Sequence, residues 1–294
     1  MTSVLITGSA GFVGRHFDRT LSRLGCDITR IDINDPLKPT DARDFFRRNE
    51  QHYDLVIHLA AIVGGRAQIE GAPLSLAVDL AIDAEMFGWA MRTRPGRVVY
   101  FSSSAAYPIE LQAPGMTVRV DESRIDLAAV ANPDLTYGWA KLTGEMLAAH
   151  AEADSLRVQV FRPFSGYGED QALDYPFPSF IHRAATKADP FEIWGDGTQT
   201  RDWIHIDDIV DAVLDATDQD IPGPINLGWG RPTSFNELAR LVIDEAAYTP
   251  HIKHVTAAPT GVHYRVADNS KLLGFYQPRI SLEEGIRRAL RAAA

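Results

Sequence analysis

The 294-residue sequence lacks the features of a disulfide-bonded or metal-binding protein. It contains one cysteine, Cys26, which excludes an internal disulfide and a cysteine-based metal site. Its nine histidines are scattered without the spacing of a metal motif, so we predict no metal. The first residues lack the basic and apolar segments of a signal peptide, and no run reaches transmembrane length. We therefore expect a cytoplasmic protein that does not span a membrane.

The chain also lacks a net positive charge, since its 29 Lys and Arg residues are outnumbered by 39 Asp and Glu residues. Its formal net charge is −10, which argues against nucleic acid as a partner because such binding needs a broad basic face. Any phosphate-bearing ligand must therefore bind at a local site and not across a broad basic face. Hydrophobic residues make up 45% of the sequence, enough for the core of one large domain or two moderate ones.

Short β-branched apolar runs alternate with longer amphipathic segments in the first half. The predicted strands are residues 4–7, 27–32, 55–59, 97–101 and 157–161. The predicted helices are residues 11–24, 41–51, 74–94 and 135–153. This alternation predicts an α/β fold, a Rossmann-type doubly wound parallel sheet.

After Pro163 the sequence becomes rich in Gly, Pro and aromatic residues. We predict a ligand-facing loop at 164–180, a helix at 206–217, a strand at 224–227, and helices at 235–247 and from 281 onward. Residues 1–164 with about 202–227 form the predicted nucleotide-binding domain. A smaller, partly discontinuous C-terminal lobe, about 165–201 and 228–294, is predicted to bind substrate at the carboxyl edge of the sheet.

A glycine-rich turn follows the first predicted strand and opens the first helix. Gly8, Gly11 and Gly14 allow a tight turn and a close approach of the backbone to a pyrophosphate at the helix N-terminus. Asp32 ends the second strand, where a carboxylate can accept hydrogen bonds from an adenosine ribose and repel a 2′-phosphate. The pattern therefore predicts NAD rather than NADP as cofactor. The other predicted cofactor contacts in these turns are Phe12, Val13, Leu59, Ala60 and Ala61.

Tyr137 and Lys141 lie one helical turn apart on the helix predicted at 135–153. A free tyrosine is a poor base at neutral pH, but an ammonium group on the same helix face stabilises its phenolate. Lys141 can therefore make Tyr137 a general base. Chance spacing on a helix explains such a pair equally well, so other motifs in the chain are needed to distinguish a catalytic pair from a chance one.

With these features in order, the chain resembles the extended short-chain dehydrogenase/reductases, and among them the NAD-dependent nucleotide-sugar epimerases and dehydratases. The resemblance spans nearly the whole chain. It rests on Gly8-x-x-Gly11-x-x-Gly14, Asp32, Asp41-Ala42-Arg43-Asp44, His58-Leu59-Ala60-Ala61, Ser102-Ser103-Ser104, Tyr137-x-x-x-Lys141, Arg162-Pro163-Phe164-Ser165-x-Tyr167-Gly168, and Gly195-Asp196-Gly197 before Arg201-Asp202.

The resemblance implies roles for particular residues. Ser103 is the catalytic hydroxyl, because it lies four residues before Tyr107, and Tyr137 and Lys141 are the base and its partner, which also contact cofactor. Asp41 contacts the adenine, with Ala42 beside it, although Asp41 equally suits a helix N-cap. Arg201 binds the substrate diphosphate, unless it pairs with Asp202 or Asp207 instead. Pro163 shapes the nicotinamide site, and the remaining implied substrate contacts are Ser104, Ser165 and Arg265.

The sequence departs from the family pattern beside the catalytic serine. Ser104 and Ala105 stand where sugar-nucleotide dehydratases carry an acidic pair. Residues 58–65 look closest to GDP-fucose synthase and GDP-mannose 3,5-epimerase, but those relatives use a cysteine where this chain has Ala105. The asparagine of a family helix is also replaced, with Asp79 near its place.

These departures favour reversible oxidation of a sugar hydroxyl, and thus epimerisation of a nucleotide-diphosphate sugar at C4 through a 4-keto intermediate. The alternatives are a 4-keto-sugar reductase, a 3,5-epimerase, a 4,6-dehydratase and, outside enzymes, a dinucleotide-sensing regulator. Among five cleft candidates, Tyr167, Tyr175, Phe177, Trp194 and Trp229, we expect at most two to line the substrate site. Met86, Phe87 and Trp89 suit either a homodimer interface, the family's usual assembly, or burial within one chain.

Overall fold

The computed structural model describes residues 1–64 and 70–293, so Gly65 of the segment discussed above lies outside it. The strands are β1 (Ser3–Thr7), β2 (Asp27–Ile31), β3 (Leu55–His58), β4 (Val98–Phe101), β5 (Arg119–Val120), β6 (Val158–Pro163), β7 (Ser165–Tyr167), β8 (Phe191–Trp194), β9 (Thr200–His205), β10 (Ile225–Leu227), β11 (Pro232–Ser234), β12 (Ile252–Val255) and β13 (Tyr264–Ala267). The helices are α1 (Phe12–Arg23), α2 (Ala42–Arg48), α3 (Ser75–Thr93), α4 (Leu135–Ala153), α5 (Pro176–Ala185), α6 (Ile206–Asp218), α7 (Phe235–Glu245), α8 (Ser270–Leu273) and α9 (Leu282–Ala293).

Six parallel strands form the main sheet, in the order β10-β6-β4-β3-β1-β2. The chain builds outward from β1 to β2 on one side and from β3 to β10 on the other. The strand order therefore reverses between β1 and β3, where open α/β sheets bind ligands outside the carboxyl ends of their strands. The predicted Rossmann-type parallel sheet is confirmed.

Both faces of this sheet are covered by helices. Val4 and Ile6 belong to a hydrophobic cluster with α1 and α6, whereas Leu5 belongs to a second cluster with α2, α3 and α4. Successive strand residues point to opposite faces, so the two clusters are the two sides of the sheet. Such double burial explains why the strands read as continuous apolar runs.

The second half of the chain adds a smaller mixed sheet, ordered β11-β9-β13-β5, with β7 also paired to β9, and a two-stranded sheet of β8 and β12. Helices α5, α7 and α9 bury a third hydrophobic cluster rich in aromatic residues, including Phe180, Phe191, Trp203 and Phe235. The loop predicted at 164–180 is wrong in part, because it contains β7 and the first turn of α5. Its Pro176 occupies the first position of α5, where a missing N–H costs nothing.

The aromatic residues of α3 are packed inside the chain. Met86 and Trp89 are fully buried and Phe87 is 5% exposed, all within the cluster under α2, α3 and α4. Of the two interpretations offered by the sequence, burial within one chain is the one realised. No helix among residues 1–64 and 70–293 is long and apolar enough to cross a membrane.

Candidate active site

The turn after β1 is shaped by glycines that cannot be replaced. Gly8 has a φ of +72°, and a Cβ there would lie 2.8 Å from the carbonyl carbon of Leu59. A Cβ on Gly14 would lie 2.1 Å from the oxygen of Gly8. No side chain caps α1 at Gly11, so the first amide groups of this helix face the turn without a side-chain acceptor. The turn is thus a site for an anionic group.

Asp32 lies directly after β2 and beside this turn. One carboxylate oxygen accepts the backbone N–H of Ala10 at 2.9 Å, and the other accepts that of Asn34 at 2.7 Å. These bonds hold Asp32 at the carboxyl edge of the sheet, next to the glycine turn. Each oxygen keeps a second lone pair, which the predicted ribose contact requires.

The other predicted cofactor residues surround the same edge. Phe12 and Val13 pack against the core from the start of α1, and Leu59 follows β3. Asp41 caps α2, accepting the N–H of Arg43 at 2.8 Å and its guanidinium at 2.6 Å. The capping interpretation of Asp41 is therefore realised, and its adenine contact stays a prediction. Ala60 and Ala61 follow β3, whereas Ala42 begins α2 with its side chain buried in the core.

The three serines after β4 have different surroundings. Ser103 caps a short 3-10 helix, Ser104–Ala106, and its hydroxyl accepts the N–H of Ala105 at 3.1 Å. Ser103 and Ser104 line the large cleft beside the sheet, whereas Ser102 donates a short hydrogen bond to the buried Glu145. The structure thus presents Ser103, the predicted catalytic hydroxyl, to the cleft.

Tyr137 and Lys141 lie on α4, and their side chains are adjacent. The ammonium nitrogen of Lys141 lies 5.8 Å from the ring centroid of Tyr137 and 5.5 Å from that of Tyr100. Tyr137 lines the cleft, while Lys141 is 6% exposed behind it. The ammonium is therefore screened little by water on the side of the neighbouring phenol.

Two acidic residues of α3 lie behind this pair. Burial alone would lower the pKa of Lys141, but the charges of Tyr137, Asp83 and Asp79 raise it above its ordinary value. Within the described residues, no acceptor lies at hydrogen-bond distance from its ammonium group. Lys141 thus keeps its proton and has N–H donors left for a bound molecule.

Asp79 and Asp83 are held by separate hydrogen bonds. Asp83 accepts from His58 at 3.1 Å and Tyr100 at 2.6 Å; burial opposes its ionisation, but these bonds and Lys141 lower its pKa. Asp79 accepts the N–H of Ile62 at 2.6 Å, and burial raises its pKa to about 6. This carboxylate fixes the start of the segment that reaches the cleft at Val63 and Gly64.

The cleft itself has a volume of about 410 Å³ and lies between the main sheet and the smaller lobe. Seven predicted site residues line it, namely Ser103, Ser104, Tyr137, Pro163, Ser165, Arg201 and Arg265. Of the five aromatic candidates, Tyr175 and Trp194 line the cleft, while Tyr167 and Phe177 belong to the core. Burial raises the pKa of Tyr175 to about 12, so its phenol stays protonated.

Two predicted substrate arginines approach the cleft from the smaller lobe. The guanidinium of Arg201 lies 5.4 Å from the ring centroid of Phe235 and donates to the carbonyl of Thr260 at 3.3 Å. Arg265 lies on β13 and donates a hydrogen bond at 2.7 Å to Asp134, the residue before α4. This pair links the two walls of the cleft.

The alternative partners considered for Arg201 have other contacts. Asp202 is fully buried and accepts the backbone N–H groups of Trp229, Gly230 and Ala267. Burial raises the pKa of Asp202 to about 7 despite these bonds. Asp207 accepts from the imidazole of His16. Asp202 therefore organises the smaller lobe beneath the cleft.

The sequence did not identify Arg183 or Asp134, which also line the cleft. Arg183 lies on α5, a helix that begins inside the segment predicted as a loop. The amphipathic pattern of 176–185 after two prolines is the signal that could have placed it on a helix wall. Asp134 immediately precedes α4, where an aspartate reads as an ordinary N-cap.

Together, the glycine turn, Asp32 and the buried ammonium fit a dinucleotide whose pyrophosphate, adenosine ribose and second ribose meet donors and acceptors already in place. Within residues 1–64 and 70–293, no group of three or more His, Cys, Asp or Glu side chains could hold a metal ion. A doubly wound sheet with this edge and a Ser, Tyr and Lys group defines a Rossmann-type enzyme of the short-chain dehydrogenase/reductase kind.

Comparison with known proteins agrees. A family model, the NAD dependent epimerase/dehydratase family, matches residues 4–228, and the chain belongs to this family. NAD as cofactor is thereby confirmed. GDP-mannose 3,5-epimerase from Arabidopsis thaliana is 30% identical over 97% of this chain and 80% of its own. A dTDP-4-dehydro-6-deoxy-D-allose reductase from a Streptomyces species is 27% identical over 92% of this chain and 89% of its own.

The solved structures support the same fold. UDP-glucose 4-epimerase from Thermus thermophilus, in complex with NAD, superposes with a TM-score of 0.83 and covers 99% of this chain and 98% of its own. Its sequence identity is 21%, so this match supports the fold alone. The chain therefore belongs to a family of enzymes, and its reaction has to be inferred from the residues in its own cleft.

Proposed function

We propose that this protein epimerises a nucleotide-diphosphate sugar at C4 through a transient 4-keto intermediate. The observation that carries the proposal is the meeting of Ser103 and Tyr137 on one cleft wall, with the ammonium of Lys141 5.8 Å from the Tyr137 ring. We further propose that the functional protein is a cytoplasmic homodimer and that the smaller lobe holds the nucleotide.

The chain's own residues supply the proton transfers. Tyr137 takes the proton of the C4 hydroxyl through its phenolate oxygen while C4 is oxidised to a ketone, and it returns the proton when C4 is reduced again. Bound NAD supplies the acceptor and then the donor of the hydride. Ser103 hydrogen-bonds the same C4 oxygen and orients it toward Tyr137. No net oxidation results, so the protein needs no second redox partner.

Lys141 keeps Tyr137 competent as a base. Its ammonium is buried, stays protonated beside Asp79 and Asp83, and favours the phenolate through a low-dielectric path. Its remaining N–H donors suit the hydroxyls of the nicotinamide ribose. A single side chain thus joins cofactor binding to activation of the base.

The surroundings of Ser103 favour C4 chemistry over removal of a carbon-bound proton. Ala105 is buried, packs beneath α4 through its carbonyl oxygen, and has no group that could exchange a proton. Asp134, a carboxylate on the cleft wall, is held by Arg265 at 2.7 Å. Burial raises the pKa of Tyr175, so its phenol stays protonated and cannot take up a proton at neutral pH. These features support hydride transfer as the main chemistry.

A second candidate is C3/C5 epimerisation, favoured by the 30% identity to GDP-mannose 3,5-epimerase over 97% of this chain. The two reactions differ in solvent exchange, because C3/C5 epimerisation passes through proton loss from carbon. In deuterium oxide, a C4 epimerase leaves the ring carbons free of solvent deuterium. Deuterium at C3 or C5 of the product would establish the second candidate instead.

The proposal is tested by incubating the protein with UDP-, GDP-, dTDP- and CDP-hexoses and following the anomeric protons by NMR. Tyr137→Phe should lower turnover by about 100-fold to 10,000-fold, the usual worth of a general base. NAD released by denaturation and measured by mass spectrometry should be unchanged. The matched control is Tyr53→Phe, whose hydroxyl contacts Gln51 at 3.2 Å away from the cleft. Full turnover in Tyr137→Phe would refute the assigned base.

A further inference from the structure

Both ends of the serine turn, residues 102–107, are held by one buried ion pair. This anchor pair consists of Glu145 on α4 and Arg162 on β6, which meet at 2.6 Å with both side chains 2% exposed. A second hydrogen bond, from Nε of Arg162 to the other carboxylate oxygen at 2.9 Å, makes the pair bidentate. A bidentate pair has one preferred geometry, so groups that are bonded to it are held in place.

The first end of the serine turn is Ser102. Its buried hydroxyl donates a short hydrogen bond to Glu145, and its backbone N–H donates to the carbonyl of Phe161 at 2.8 Å. Phe161 directly precedes Arg162 on β6. Helix α4 and strand β6 therefore both fix the residue that comes immediately before Ser103.

The second end of the serine turn is Tyr107. Its phenol oxygen accepts a hydrogen bond from Arg162 at 3.1 Å and donates one to Asn226 at 2.7 Å. Burial raises the pKa of this phenol, so it keeps the proton that it donates. Tyr107 is fully buried, and its contacts therefore hold the turn and do not face the cleft.

Ser103 lies between these two ends and is shaped by the backbone of the turn. Its hydroxyl accepts the N–H of Ala105 at 3.1 Å, and its carbonyl accepts that of Ala106 at 3.0 Å. These local bonds set the form of the turn. The hydroxyls of Ser102 and Tyr107 join the turn to the anchor pair.

The helix that supplies half of the anchor pair also carries the base. Tyr137, Lys141 and Glu145 follow one another at intervals of four residues on α4, so they lie along one face of the helix. Tyr137 lines the cleft, and Glu145 is buried two turns further along. The anchor pair therefore joins the turn of Ser103 to the helix of Tyr137 and fixes the distance between them.

We propose that Ser102 and Tyr107 are positioning residues, which act through the anchor pair to set the place of the Ser103 hydroxyl. This assignment rests on the proposed function, in which Ser103 and Tyr137 act on the same sugar oxygen. A displacement of about 1 Å at a catalytic group can lower the rate by about 100-fold, so buried contacts outside the cleft affect turnover.

The test uses two variants that each remove one buried hydroxyl and leave the anchor pair intact. Ser102→Ala and Tyr107→Phe should each lower turnover of the nucleotide-diphosphate hexose that the parent converts by about 10-fold to 100-fold, with the bound NAD unchanged. The matched control is Tyr276→Phe, which removes a phenol that donates to Asp208 at 2.7 Å outside the cleft. This control should turn over like the parent. Urea unfolding of each variant establishes that it is folded.

A double-mutant cycle distinguishes positioning from general damage to the fold. Ser103→Ala removes the group that is positioned, so adding Ser102→Ala to it should lower turnover by no more than about twofold further. If the two effects multiply instead, Ser102 acts independently of Ser103 and the proposal is wrong. Parent-like turnover in both Ser102→Ala and Tyr107→Phe would also overturn it.

Hydrogen–deuterium exchange, followed by NMR, gives a measurement that needs no substrate. The amides of Ala105 and Ala106 both donate to Ser103, so their exchange reports directly on the serine turn. In Ser102→Ala, both amides should exchange about 10-fold to 100-fold faster than in the parent, because the lost hydrogen bond ends on a charged group. Unchanged exchange would show that Ser102 does not hold the turn.

The outcomes separate the two proposals. If Ser103→Ala is impaired while Ser102→Ala and Tyr107→Phe are not, the positioning role fails and the proposed function stands. If Ser103→Ala turns over like the parent, or the parent converts no nucleotide-diphosphate hexose, the proposed function fails. Amide exchange then still decides whether Ser102 holds the serine turn.

Discussion

Gly138 offers a test of how α4 places the catalytic tyrosine. A Cβ at this position would lie 2.4 Å from the carbonyl oxygen of Ala105 and 2.9 Å from Cβ of Pro133. The oxygen cannot turn away, because it accepts the N–H of Asp134 at 2.9 Å. In Gly138→Ala, the start of α4 must therefore move away from the 3-10 turn that carries Ser103.

The size of the effect follows from the distances. Carbon and carbonyl oxygen normally approach no closer than about 3.3 Å, so α4 must shift by about 1 Å. Overpacking of this kind costs about 1–3 kcal/mol of unfolding free energy, of which the better helix propensity of alanine returns about 1 kcal/mol. Tyr137 is the adjacent residue, and a misplacement of about 1 Å at a catalytic group can lower the rate by about 100-fold.

The assay compares Gly138→Ala with Gly88→Ala. Gly88 lies on α3, and a Cβ there meets no atom within 4 Å. Gly88→Ala should raise the unfolding free energy by about 0.4–1 kcal/mol and leave turnover unchanged, because it only restricts the unfolded chain. Both quantities are measured by urea unfolding and by NMR of the sugar products. Parent-like turnover in Gly138→Ala would refute the argument that this contact sets the distance between Ser103 and Tyr137.

Two further predictions concern buried charges. His16 contacts Asp170 at 2.9 Å and Asp207 at 3.2 Å; burial opposes its charge, but these carboxylates raise its pKa above 6.5. The contacts of charged His16 stabilise the fold fully below pH 6.5, the ordinary pKa of histidine. The unfolding free energy should therefore fall as pH rises through the raised pKa of His16. In urea titrations, His16→Gln should flatten this pH dependence. Glu145 holds Arg162 at 2.6 Å with both side chains 2% exposed, so Glu145→Gln should cost about 3–5 kcal/mol by urea unfolding.

Each of these two predictions has an outcome that would contradict it. An unfolding free energy that rises over the same pH window in the parent would contradict the contacts of His16. For the ion pair, the double variant Glu145→Gln with Arg162→Met removes the uncompensated guanidinium. It should recover most of the loss, because an apolar side chain of similar volume suits a dry interior. A double variant as unstable as Glu145→Gln would show that the charge of Arg162 is not the cause.

The main sheet could be predicted because its signals are local. Apolar runs such as 55–59 and 97–101 are long enough, and regular enough, to indicate buried parallel strands. The helix predicted at 135–153 has those bounds in the structure. The smaller lobe could not be predicted in this way. Its strands are short, as in β5 and β11, and they exist through pairing with distant segments.

The residues of the candidate active site also differ in whether local sequence could predict them. Gly8 and Gly14 could be recognised because each lies at a fixed distance from a strand end, where backbone geometry dictates the residue type. The role of Ser103 follows instead from the family resemblance. Arg183 could not be recognised in this way, because its place in the cleft depends on how α5 packs in the smaller lobe. The division into two domains at the stated boundaries stays a prediction.

By itself, the sequence determined the order of the strands and helices that build the main sheet, the glycine turn with Asp32, and the spacing of Tyr137 and Lys141. These are properties of short segments, set by hydrophobic periodicity and by steric limits on the backbone. The tertiary structure alone decided that Asp79 and Asp83 lie behind Lys141, and that the anchor pair contacts both ends of the serine turn. Such contacts join residues far apart along the chain, and they form only when packing of the helices against the sheet fixes their distances and excludes water.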